Sequence, residues 1–267
     1  MGRQWNRTNS AICWFMISAL VCLLLPVGTC CGQTEAIAAS KVEALGGEFT
    51  KNGEGNVVSV ILFGSKKLPI DGFSDEEIDS IDFASFRQLE RLHVVSGIFR
   101  GITDRSLLQF GKIPAQLDTL DVSFARITDE GLIALLKKQN SLSCACLIGT
   151  PITDRVLPAI ASLQNLRSLG LDDTNISDKG LKDLPKLKRL RFLSLKGTTV
   201  SDVGLAQISR LESLTHLHLD RTKITDEGIQ PLRSLRNLRY LGVTSTSVTE
   251  KGKQALQNAL PNLKFEK

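Results

Sequence analysis

Beyond Trp14 this chain contains no tryptophan, and over its whole length it has one tyrosine and three histidines. Eleven phenylalanines make up most of the remaining rings, and none is interleaved with the arginines to form a platform for bases, which disfavours nucleic acid as a partner. A formal net charge of +5 points no more strongly that way, since Arg3 and Arg7 contribute to it from the extreme N-terminus. The motifs G-x-x-x-x-G-K-[S/T], H-E-x-x-H and G-x-S-x-G are missing. With them go the phosphate cradle, the zinc-protease helix and the nucleophile elbow. Cysteine is scarce where a disulfide framework would need it. Cys13, Cys22, Cys30 and Cys31 crowd the N-terminal apolar run and its end, leaving Cys144 and Cys146 alone in the body of the chain. The longest apolar run, Ala11–Leu25 with Ser18 inside it, holds about 15 residues, where roughly 20 span a bilayer.

Residues 1–32 follow a leader pattern. Met1–Ser10 is polar with two arginines and no acid, the apolar run follows, and Pro26–Gly32 is small and turn-forming. These are the three regions of a secretory signal, which is then cleaved, lipidated or retained as a membrane anchor. Val27-Gly28-Thr29-Cys30 resembles a bacterial lipobox, with Thr29 in place of the usual Gly, Ala or Ser, and makes Cys30 the lipidation candidate. The basic N-terminus would stay cytoplasmic, placing the rest of the chain in the cell envelope on its periplasmic or extracellular face.

Residues 33–56 read as a cap of helix plus hairpin. Ile37, Ala38, Lys41, Val42 and Leu45 share one face of a helix over Glu35–Leu45, and Gly46-Gly47 stops it. Asn52-Gly53 then turns the chain into a strand over Val57–Leu62.

From residue 57 to 267 the sequence repeats. Three units, Leu166–Leu181, Leu190–Leu205 and Leu214–Ile229, read L-x-x-L-x-L-x-x-T-x-[I/V]-[S/T]-D-x-G-[L/I]. Lead anchors at Val57, Leu89, Leu117, Leu142, Leu166, Leu190, Leu214 and Leu238, with a half-unit at Leu260, make about eight units. A period of this length marks a stacked solenoid, and the first unit needs a cover such as the cap. The two longest units carry their extra residues between strand and convex side, so Phe63–Gly72 and Val95–Gly101 should bulge on one rim.

This pattern resembles the leucine-rich repeat family, and is similar to signal-bearing bacterial members. Thr150, Thr174, Thr198, Thr222 and Thr246 stand where many members carry Asn or Cys, so the ribonuclease-inhibitor-like and cysteine-containing subclasses look closest. The resemblance implies an α/β right-handed solenoid, a horseshoe with a parallel concave sheet and short convex helices. Some members of this repeat type are substrate adaptors carrying an F-box; no such helical segment precedes these repeats.

Residue chemistry supports that architecture independently. The second and third leucines of a unit lie two apart and face one side of a short strand. The threonines should form a column serving the neighbouring unit's loop. Thr128, Thr153, Ser177, Ser201 and Thr225, each followed by Asp, should cap helices, and Ser74-x-x-Glu77 reads as a capping box. Pro158, Pro185 and Pro231 should keep their convex segments short or 3₁₀. Gly131, Gly180, Gly204, Gly228 and Gly252 should mark tight packing between units, a column broken at Ser106 and Val156.

Residues alternating with the leucines face the concave side. Asp121, Asp172, Phe192, Lys196, His216, His218, Asp220 and Tyr240 are the candidates there for contact with a protein or peptide, with Phe192, His218 and Tyr240 as anchors. His216-x-His218-x-Asp220 puts three ligand-type side chains on one strand. Cys144 and Cys146 stand three strands away, about 14 Å by stacking, so a shared metal site is not expected. Those two cysteines read as small filler without a neighbouring base. Arg167, Arg189, Arg191, Arg236 and Arg239 line the strand-entry edge, a solvated rim or a meeting point for an anionic surface such as phospholipid or wall polymer.

The expectation is an exported, non-enzymatic scaffold without cofactor or metal that binds a protein or peptide through its concave face and N-terminal rim. The alternative is a structural envelope component. The sequence leaves the oligomeric state open. If Cys30 is lipidated, a clickable fatty acid labels the wild type and labelling is lost in Cys30→Ala; unlabelled wild type, or label surviving Cys30→Ala with Cys31→Ala, excludes it.

Overall fold

The computed structural model describes residues 30–63, 75–95 and 102–266. Helix α1 (Cys30–Ala44) leads to strand β1 (Glu48–Lys51), which pairs antiparallel with β2 (Val57–Phe63). From β2 onward each strand adds in parallel to the last, giving one ten-stranded sheet in strict sequence order. The later strands are β3 (Arg91–Val95), β4 (Thr119–Asp121), β5 (Cys144–Cys146), β6 (Ser168–Gly170), β7 (Phe192–Ser194), β8 (His216–His218), β9 (Tyr240–Gly242) and β10 (Lys264–Phe265). The three-residue strands β4–β9 survive because each is hydrogen-bonded on both flanks and its central residue is buried, as at Leu169, Leu193, Leu217 and Leu241.

The convex segments divide as proline dictates. Without proline the main segment is α-helical: α2 (Asp75–Asp79, followed by a 3₁₀ turn over Phe83–Ser85), α3 (Asp104–Phe110), α4 (Asp129–Lys138), α6 (Asp202–Ile208) and α7 (Glu250–Ala259). Gly180–Lys186 and Gln230–Ser234, carrying Pro185 and Pro231, are 3₁₀. Pro158 sits in α5 (Leu157–Ile160), four residues long and preceded by a 3₁₀ turn. In the long early units the core is filled by rings, with Phe83 packed edge-on against Phe86 and Phe110 at 6.0 and 5.2 Å. Unit four, where Ala145 stands in place of the second leucine, keeps its place: Ala145 and Leu147 are both buried.

Several expectations need correction. Helix α1 starts at Cys30, ahead of Glu35, and it buries Ala38, Ala39 and Val42 while Ile37 is 62% exposed. Small residues are needed there because the helix turns directly onto the sheet. A Cβ at Gly47 would lie 2.8 Å from the Ile61 carbonyl and 2.9 Å from Val42. The threonine hydroxyls serve their own unit, each donating to the carbonyl three residues back, as Thr174 does to Leu171 at 2.6 Å and Thr198 to Leu195 at 2.7 Å. Neighbouring-unit carbonyls are already taken by backbone N–H groups, for example Gly170 by Leu147 and Ser194 by Leu171. Ser74 and the two rim insertions lie largely outside the described residues.

The Ser/Thr-Asp pairs do more than cap. Each hydroxyl accepts from an N–H of its own unit, as Thr128 does from Gly131 and Ser201 from Val203. It also donates to the aspartate of the preceding unit. Asp104, Asp129, Asp154, Asp178, Asp202 and Asp226 each take the N–H of the next unit's Thr or Ser at 2.7–2.8 Å and its hydroxyl at 2.5–2.7 Å. Glycine accompanies most of these contacts, and a Cβ at Gly131, Gly204, Gly228 or Gly252 would lie against the carboxylate as it stands; unit four carries a buried Val156 there and Asp129 still holds Thr153 by both bonds. At Ser106, where glycine is replaced, the side chain donates to Asp75 at 2.5 Å and joins the ladder.

A glycine-to-alanine change normally stabilises a compatible site by about 0.4–1 kcal/mol. Gly228→Ala should instead lower stability by about 2 kcal/mol, since Asp202 must release one or both charge-assisted bonds to Thr225. A urea midpoint that holds or rises would show the ladder to be dispensable.

Candidate functional site

The strand register arranges the concave residues in three rows. The first runs Ser168, Phe192, His216, Tyr240, Lys264; the second Cys146, Gly170, Ser194, His218, Gly242. Asp172, Lys196, Asp220 and Thr244 follow two residues after the second row.

The first row is a column of rings. His216 stacks on Tyr240 with centroids 4.6 Å apart and planes inclined by 16°. Phe192 stands 6.1 Å from His216 and 5.1 Å from His218. Lys264 closes the column with its ammonium 6.0 Å over the Tyr240 ring. Phe192, His216 and Tyr240 are half-buried.

Beside the rings lies a charged network. Lys196 Nζ is 3.2 Å from Asp220 Oδ2, and His218 Nδ1 is 3.1 Å from Glu266 Oε2 without a well-directed hydrogen bond. Gly242 makes this possible: a Cβ there would lie 2.6 Å from Asp220 and 3.1 Å from His218 Nδ1. The Asp172 carboxylate accepts the Lys196 N–H at 3.1 Å, and Asp220 that of Thr244 at 2.8 Å. Burial pushes Asp172 above the usual carboxylate range, against the Ser194 hydroxyl and Lys196. Burial acts the same way on Asp220, but the Thr244 N–H and Lys196 outweigh it and hold that carboxyl low. His216 and His218 are both lowered, chiefly by burial and for His218 also by Lys196, so they are neutral rings near neutral pH.

The candidates thus separate by depth. Phe192, Lys196, His216, Asp220, Asp172 and Tyr240 come together over β6–β9, whereas Asp121 lies on β4, where its carboxylate accepts from Ser123. His218, expected as an anchor, is only 6% exposed and forms the floor of the cluster. Cys144 and Cys146 are half-buried thiols that are not joined by a disulfide, and contact with Cys146 lowers the Cys144 thiol despite its burial. Among the described residues no group of three or more His, Cys, Asp or Glu side chains is gathered to hold a metal ion.

Sequence reasoning missed a row at the strand exits. Phe124, Asp173, Arg221 and Ser245 have positive φ, as do Gly149 and Gly197 at the equivalent positions. Asp173 and Arg221 form an ion pair at 3.0 Å across Gly197, whose missing side chain leaves the room. The only available signal was glycine recurring at this position in alternate units.

A family model described as leucine-rich repeat matches residues 117–136, 162–184 and 210–232, in register with the strands and ladder above. These are leucine-rich repeats. The leucine-rich repeat structure is similar to that of a leucine-rich repeat protein of Leptospira interrogans (TM-score 0.51, 19% identity, 69% of this chain and 44% of that one). It is also similar to the internalin InlF of Listeria monocytogenes (TM-score 0.50, 18% identity, 68% of this chain and 55% of that one). This chain therefore spans about half the length of each, and likeness at such identity establishes the fold alone. No curated protein matches it in sequence.

Within the leucine-rich repeat frame, Asp172 is a residue kept against its own electrostatics. A carboxyl whose native pKa is raised destabilises the fold above that pKa, and the penalty vanishes as pH falls through it. Asp172→Asn should therefore raise the thermal midpoint at pH 7 by about 1–3 °C, with the gain shrinking toward pH 3. An unchanged or lowered midpoint at pH 7 would mean that the ionised carboxylate supports the fold through Lys196.

Proposed function

We propose that this leucine-rich repeat protein is an exported, non-enzymatic scaffold that binds a protein or peptide through the concave face of β6–β9. The fold itself suggests a protein-binding scaffold. The observation that carries the concave-face reading is the column of Phe192, His216 and Tyr240 beside the charged row of Asp172, Lys196 and Asp220. Half-buried rings held in place by one another supply apolar contact area at little entropic loss, and the fixed charges beside them select polarity. The seven parallel strands β3–β9 make a face about 30 Å long, enough for an interface of about 800 Å² per partner.

Export rests on the leader pattern of residues 1–32, with Cys30 as the residue through which the chain would be lipid-anchored at the envelope. Photocrosslinking in the native cells tests the face. Partners recovered with wild type should be lost, by tenfold or more, when Phe192, His216 and Tyr240 are changed together to Ala. The depth of His218 excludes it from that set, because its truncation would undermine the site's floor. Undiminished recovery would remove the concave face from the interface, and recovery of nothing from wild type would favour a structural envelope role.

A further inference from the structure

The strand-entry edge of the later units is a second surface, chemically unlike the concave face. Backbone bonds lock it in order: the N–H of Arg191 donates to Arg167 O, that of Thr215 to Arg191 O, and that of Arg239 to Thr215 O. Arg167, Arg191 and Arg239 therefore stand in one row across the strands, with Lys188, Arg189 and Arg236 just behind it. All six are exposed, and Glu212 is the acid that interrupts them. None appears in an ion pair among the described residues; Arg189 donates to Asn165, Arg236 to the Ala259 carbonyl, and Arg239 to those of Arg236 and Leu238. A recess of about 110 Å³ opens between Arg236, Arg239, Leu260, Pro261 and Asn262.

Six like charges on one edge repel one another and lower stability unless an anion answers them. Five of the six are arginines, whose planar fork matches phosphate oxygens two at a time. The leucines of this edge, Leu163, Leu166, Leu187, Leu190, Leu214 and Leu238, are buried, so it offers no apolar anchor to a protein partner. It has no ring to stack a base or sugar and no groove to track a strand. A surface that demands only charge and phosphate remains.

We propose that this edge docks on an anionic phospholipid bilayer, with the Arg236–Arg239 recess seating a headgroup phosphate. The repeats then stand with one flank on the membrane and the concave rings turned sideways, free for a partner. The proposal is independent of the concave-face reading, which could fail without touching it.

The test is flotation of the full chain with phosphatidylcholine vesicles, with and without about one-third phosphatidylglycerol. Neutral vesicles measure whatever the leader contributes. The anion-dependent increment should fall at least about a hundredfold when Arg167, Arg191, Arg236 and Arg239 are changed together to Gln, at roughly fivefold per charge. Changing the same four to Lys keeps the charge but not the paired phosphate contacts, so binding should fall severalfold while staying well above the Gln variant, and about 0.5 M salt should abolish it. Changing Lys112, Lys137, Lys138 and Lys179 to Gln removes equal charge elsewhere and should have little effect; an equal loss there reduces the edge to bulk net charge and overturns the proposal. Equal binding to both vesicle types overturns it as well. Edge-dependent capture of soluble polyphosphate without vesicle binding would replace the membrane with a linear polyanion. A circular-dichroism melt confirms that each variant is folded.

Discussion

Each unit of this solenoid is tied to the next by a carboxylate that accepts both the N–H and the hydroxyl of one serine or threonine. Burial of leucine is non-directional and would tolerate a shift between units. The two-pronged bond does not, because only one stacking offset brings both donors to one carboxylate. The same contact accounts for the glycine that follows in most units, where a Cβ would meet the carboxylate, while Ser106 joins the contact and Val156 coexists with it. Leucines supply most of the driving force, and aspartates set the register that keeps concave residues in rows.

That register explains how ordinary strands yield a site. Strands of three residues present only two or three side chains each, so neighbours on a row must come from successive units about 4.8 Å apart. At that spacing rings stack, as His216 does on Tyr240, and long charged side chains reach across a unit, as Lys196 does to Asp220. Glycine at a row position turns a bridge between adjacent units into one that spans two. Gly242 lets Glu266 approach His218, and Gly197 lets Arg221 reach Asp173.

Periodicity made much of this legible beforehand. Leucine spacing gave strand order, the Asn52-Gly53 turn gave the antiparallel entry, and the prolines gave the 3₁₀ segments. Side-chain alternation identifies which residues face the concave side but carries no information on depth, so His218 reads as an anchor although Phe192 and Glu266 pack against it. Ser/Thr-Asp was read as a local cap because the aspartate's acceptor role depends on a donor 23 or 24 residues later. The left-handed row escaped notice because Phe, Asp, Arg and Ser share no side-chain chemistry, only a backbone angle. Ile37 was assigned inward by hydrophobicity where the close approach of helix to sheet admits only smaller residues.

The phenylalanine cluster at Phe83, Phe86 and Phe110 gives the array an uneven capacity for rearrangement. Units between Leu166 and Leu238 share length, anchors and ladder chemistry, so excision of residues 190–213 would present Asp178 with Thr225 and Gly228 in place of Ser201 and Gly204. Gene slippage of one period there preserves a continuous core. The early units are joined by rings that have no counterpart further along, and they must be inherited as a block. Length can drift at one end of such a molecule while the other stays fixed.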